Sequence, residues 1–127
     1  MDKRLMIGDW VRVATKAGKK DVQVNNIDAD GWIIYDGGVS YDYEPIVINE
    51  DYLIDVGFSE HQLIGDTERL ILKDEAGNRI ITMDYCGNYY NCTFKVKCNV
   101  GSIRIEFVHQ FQHLCCLLGV ALMPTKL

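Results

Sequence analysis

The sequence predicts an α+β protein, mainly β, with a small N-terminal barrel followed by an antiparallel sheet packed by one C-terminal helix. Three observations lead there. Short apolar runs cut by turn residues fill the first 45 residues, longer alternating runs fill residues 68–106, and one amphipathic stretch of helical period begins at Phe107.

In the N-terminal part, Trp10 to Thr15 is the first strand, Asp21 to Ile27 alternates Val22, Val24 and Ile27 with polar neighbours, and Trp32 to Tyr35 follows the turn Asp28-Ala29-Asp30-Gly31. Gly37-Gly38 breaks the chain before Val39 to Tyr43, and Pro45 marks the exit. Strands this short and closely spaced suit a Src-homology-3-like barrel. Val39-Ser40-Tyr41-Asp42-Tyr43-Glu44-Pro45 also echoes the A-L-Y-D-Y strand of that fold. The echo ends there, because a helix signal follows where the fold needs an acidic loop. Asp28-Ala29-Asp30-Gly31 starts like a calcium loop, but its glycine comes fourth rather than sixth and Val39 stands where the closing glutamate belongs, so it reads as a hairpin turn.

Asn49 is a helix cap, with Glu50 and Asp51 in the first turn where carboxylates suit the helix dipole. Gly57 supplies the stop, and Phe58 folds back over the last turn. Strands then follow at Glu68 to Lys73, Arg79 to Tyr85, Tyr89 to Cys98 and Ser102 to Glu106, giving a four-stranded antiparallel sheet. In the terminal helix Phe107, Phe111, Leu114 and Leu118 superpose on one side, flanked by Val108, Cys115 and Leu117. His109, Gln112, His113 and Cys116 fall on the other side and are expected to face outward. The domain boundary is expected at Pro45, giving a barrel-like unit over 1–45 and an α+β unit over 46–127, or one compact domain of both.

Composition narrows the class. With 127 residues, 48% hydrophobic and 24% charged, the chain can bury a core without staples. No window approaches the roughly 20 apolar residues of a membrane span, and the N-terminus carries no run of signal-peptide length, so a cytoplasmic protein is expected. Five cysteines (Cys86, Cys92, Cys98, Cys115, Cys116) fit neither a disulfide framework nor a paired zinc knuckle, and Cys92 and Cys98 read as core filler on one face of their strand.

Charge is segregated. Residues 1–20 carry six basic and two acidic groups, whereas residues 21–60 carry ten acids and no lysine or arginine. Such a stretch repels phosphate and suits a protein partner with a basic surface. The leading functional reading is therefore a non-enzymatic interaction module that meets its partner through Trp32, Tyr35, Tyr41, Asp42, Tyr43 and Glu44. No cofactor is expected.

Two other classes compete with it. His109 and His113 have the H-x3-H spacing of the zinc-protease helix, and with Cys116 they form a candidate metal set for a metal-binding protein or metal-dependent hydrolase. Position 110 is glutamine rather than the glutamate that would deprotonate a metal-bound water, and no third ligand is marked by spacing. Lys3, Arg4, Arg12, Lys16, Lys19 and Lys20 offer a basic N-terminal patch for nucleic acid, which the neighbouring acids oppose.

Three landmarks carry a resemblance. Leu5-Met6-Ile7-Gly8-Asp9-Trp10-Val11, then Pro45-Ile46 to Gly57-Phe58, then Phe107-Val108-His109-Gln110-Phe111-Gln112-His113-Leu114 resemble a family of small hypothetical proteins of gut Bacteroidetes and their phages. That family opens on R-I-G-N-W/Y-V and ends near V-H-Q-L-Q-N-L. The resemblance implies a phage or mobile-element setting and brings no activity. Asp9 and His113 stand where the family pattern has asparagine, so a metal site needing both histidines is not a property of that pattern.

Overall fold

The computed structural model describes residues 5–122. Among them the chain divides into two compact units: residues 5–47 with Phe107–His113, and residues 48–106 with 114–122.

The first unit holds six short strands. β1 (Trp10–Thr15) forms a hairpin with β2 (Gly18–Gln23) and pairs on its other edge with β6 (Glu44–Pro45). β3 (Asn26–Ile27), β4 (Ile33–Tyr35) and β5 (Gly38–Ser40) make a second antiparallel sheet. The expected barrel is not formed: the strands stay in two separate three-stranded sheets, because β3 and β6 are two residues each and offer too few ladder bonds to close a ring. Val11, Val13, Val22, Val24 and Ile33 still fill one apolar cluster, with Leu5, Ile27, Tyr35 and Tyr43 packed against it.

The second unit is an antiparallel meander of five strands in sequence order, β7 (Glu60–Ile64), β8 (Thr67–Lys73), β9 (Arg79–Tyr85), β10 (Tyr90–Val96) and β11 (Asn99–Ile105). Its first strand was not expected. Leu70, Met83 and Cys92 lie in register on one face, Tyr90 pairs with Ile105 on the same face, and all five are buried. Cys98, by contrast, is exposed, because the strand ends at Val96 and Lys97 turns the chain with φ +57°.

Helix α1 (Glu50–Asp55) starts as its sequence dictates, with the Asn49 side chain accepting from the Tyr52 amide at 2.9 Å. It ends in a left-handed turn at Gly57 (φ +121°), where the Phe58 amide donates to the Leu53 carbonyl and both side chains are buried. Helix α2 (Val108–Leu118) ends the same way at Gly119, the Val120 amide donating to the Cys115 carbonyl. Its start uses Gln110, whose side-chain oxygen accepts from the Phe107 amide at 3.1 Å. The residue that replaces a catalytic glutamate is thus a helix cap. The first turns of α2 belong to the first unit and the later ones to the second, so the helix is not confined to the unit it was expected to close. None of the described helices is long and apolar enough to cross a membrane.

Candidate functional site

The six partner-binding candidates separate by burial. Trp32 and Tyr41 are 41% and 57% exposed, and their rings meet edge to face with centroids 5.4 Å apart. The turn before β4 sets this up: the Asp28 carboxylate accepts from the amides of Asp30 and Trp32, while the Asp28 amide donates to the Trp32 carbonyl. Ile33, the next residue, points the opposite way into the core at 1% exposed, which turns Trp32 outward. Asp42 follows Tyr41 in the chain and is exposed, its carbonyl accepting from the Ser40 hydroxyl.

The other three do different work. Tyr35 and Tyr43 are half-buried against the first unit's apolar cluster, and the Tyr35 ring lies over Gly38, where a methyl group would sit 3.0 Å from its hydroxyl. Glu44 pairs with Lys19 at 2.7 Å on the surface. The exposed aromatic and acidic site is therefore Trp32, Tyr41 and Asp42, with Asp28 and Asp30 exposed in the adjoining turn.

The terminal helix corrects the sequence reading more sharply. His109 was expected on an outer face, yet it is 5% exposed. The turn Met6–Asp9 covers this side of the helix start. Gln112 donates to the Gly8 carbonyl and accepts from the Trp10 amide, at 3.2 and 3.1 Å. His113 Nε2 lies 2.7 Å from Asp9 Oδ2, which also accepts from the Met6 amide. Asp9 itself is 2% exposed. Leu117, expected near the buried face, is 84% exposed instead, whereas Cys116 is exposed as its position predicts.

His109 stacks on Phe107 with ring centroids 5.9 Å apart and meets the His113 ring edge-on at 5.7 Å. Among the described residues, its buried Nδ1 has no hydrogen-bond partner. Burial pushes its pKa below the ordinary histidine value; Asp9 opposes the shift and His113 adds to it. His109, His113 and Cys116 do not converge as a ligand set. Among the described residues, the three metal-ligating side chains that do converge are Glu50, His61 and Glu68, none of which was singled out by spacing. They come from three elements, one of them the unexpected strand β7, so no local motif marks them.

The basic N-terminal candidates are partly neutralised. Arg12 donates to Asp21 at 2.8 Å and Lys19 to Glu44 at 2.7 Å, while Lys3 and Arg4 lie outside the described residues. No protein-family model, curated protein or solved structure matches the chain.

Proposed function

We propose that the chain is a non-enzymatic interaction module of the phage or mobile-element kind, acting in the cytoplasm, that binds a protein partner with a basic surface through Trp32, Tyr41 and Asp42. The observation that carries this reading is the exposed Trp32–Tyr41 pair, its Trp32 backbone bonded by the Asp28 turn, inside a stretch of ten acids with no lysine or arginine. Large rigid aromatics are the residues that concentrate binding energy at interfaces, and a guanidinium can stack on either ring while the carboxylates neutralise it. The phage setting rests on the three sequence landmarks alone.

The competing classes draw less support. His113 is engaged in holding the Met6–Trp10 segment, His109 is buried, and two of the six basic candidates are already in ion pairs. The test is quantitative capture with three immobilised baits: wild type, Trp32→Ala/Tyr41→Ala, and Asp42→Lys/Glu44→Lys, with circular dichroism showing each folded. A basic protein retained by wild type and lost from both variants supports the module. Equal retention by all three, or no protein above background, sinks it.

A further inference from the structure

The five-stranded sheet ends on β11, and hydrogen-bond parity fixes which of its backbone groups are unspent. Val96 pairs with Asn99 across a two-residue turn, in which Lys97 adopts φ +57°. Such a turn closes on a hydrogen-bonded pair, and the pairs then alternate along an antiparallel ladder. Asn99, Gly101, Ile103 and Ile105 therefore direct their N–H and C=O groups at β10, whereas Val100, Ser102 and Arg104 direct theirs away from the sheet. Glu106, next in the outward series, agrees: its carbonyl accepts from the Ile48 amide at 3.0 Å. Among the described residues, the three outward residues make no backbone hydrogen bond on that side.

Proteins blunt such edges with proline, lysine, inward-pointing charge or a bulge. β11 has none of these. Asn99 to Ile105 runs in unbroken register with β10, and its single charge, Arg104, lies on the face opposite Cys92, stacked 3.9 Å over the Tyr89 ring and paired with Glu106. Ile103 continues the row of Leu70, Met83 and Cys92, yet it is 46% exposed, because the row stops at the edge. The opposite edge, β7, has five residues against seven and opens on a charged one, Glu60.

We propose that β11 is a dimerisation strand, through which two copies of the chain pair antiparallel about a two-fold axis at Ser102 and join their sheets into one. The occupant is a second copy because the strand is complementary to itself. The axis sets Ser102 opposite its own copy and Val100 opposite Arg104, so every outward residue meets an outward residue and exchanges both bonds with it. Gly101 falls opposite Ile103 at the closer, non-hydrogen-bonded spacing, which seats each exposed Ile103 beside the Phe94 ring that covers the other copy's Gly101. No charge meets a like charge, since Arg104 is the strand's only one and the axis keeps it from its copy. An axis at Ile103 would instead set Val100 against Glu106, whose carbonyl Ile48 already occupies.

The test is sedimentation velocity of the full chain from low to high micromolar concentration. The expected result is one discrete species of twice the 14.5 kDa chain mass, growing with concentration. Ser102→Lys and Ser102→Glu each set like charges opposite one another and should move the midpoint to a concentration up to about fivefold higher, whereas their equimolar mixture should dimerise at least as well as wild type. Ser102→Pro removes an outward donor and no bond to β10, so it should stay a monomer throughout. Circular dichroism shows whether each variant folds, and the lysine and glutamate pair decides the matter if the proline variant does not. In wild type, amide exchange at Val100, Ser102 and Arg104 should slow as concentration rises, while Gly101 and Ile103 are protected at every concentration. A monomer at all concentrations, which would leave the edge to a foreign strand, overturns the proposal. So does a dimer indifferent to these substitutions, or a series of larger species such as β11 pairing with β7 would build.

Discussion

Asp9 and His113 share a 2.7 Å contact across 104 residues of chain, between a 2% exposed carboxylate and a histidine of the terminal helix. Removing either partner strands a polar group in a part-buried site, at a cost of about 1–3 kcal/mol. Asp9→Asn and His113→Asn should each destabilise the chain, and the double variant should lose less than their sum, with a coupling of about 0.5–3 kcal/mol. Urea unfolding of the four proteins measures it, and strictly additive losses would refute the pairing.

Gln112 is held to the backbone at both ends, so its two substitutions should differ in a readable way. Gln112→Ala loses the donor to Gly8 and the acceptor for the Trp10 amide, costing about 1–3 kcal/mol. Gln112→Glu keeps the acceptor and sets a carboxylate against the Gly8 carbonyl. Hydrogen exchange at the Trp10 amide should therefore accelerate strongly in the alanine variant and much less in the glutamate one. Unchanged protection in both would show that the clasp is dispensable.

His109 predicts a pH dependence. Its folded-state pKa lies below the ordinary value of 6.5, chiefly because burial penalises the imidazolium. As pH falls through that value the unfolded chain takes up a proton that the folded chain refuses, so stability declines from about neutrality downward until the folded-state value is passed. His109→Phe should flatten this acid limb, since it removes the buried imidazole and keeps an aromatic ring in its place. Parallel stability curves for the two would rule out His109 as the source.

The five thiols should sort into two classes. Cys86, Cys98 and Cys116 are exposed, whereas Cys92 and Cys115 are buried, with burial pushing both thiols up to about 12. An aromatic disulfide reagent near neutral pH should titrate the first three quickly and reach the other two only after unfolding. Rapid reaction of all five would contradict the packing around Cys92.

Local signals were legible where one element decides its own structure. Asn49, Glu50 and Gly57 mark α1 because capping depends on a few consecutive residues, and the alternation of Ile81 with Met83 and of Tyr90 with Cys92 marks the sheet. What could not be seen depends on distant partners. β7 carries its apolar residues at one end, Leu63 and Ile64, and both are exposed, so it has no periodicity to detect. His109 sits opposite the helix's apolar stripe and is buried only because the Met6–Asp9 turn returns over it, which no helical period encodes. The acidic and aromatic character around Trp32 was visible, but the division of Tyr35 and Tyr43 to the core, and of Glu44 to Lys19, follows from register.

The interleaving of the two units along the chain sets a timetable for synthesis. The Met6–Trp10 turn leaves the ribosome early, but the glutamine and histidine that clasp it follow 102 to 104 residues later. Everything between them, including the whole five-stranded meander, is made in the meantime. The N-terminal unit is the first begun, yet it cannot finish until the terminal helix emerges. A nascent chain stalled before that point would expose Val108's and Phe111's binding surfaces uncovered, so this unit is where chaperone dependence should concentrate.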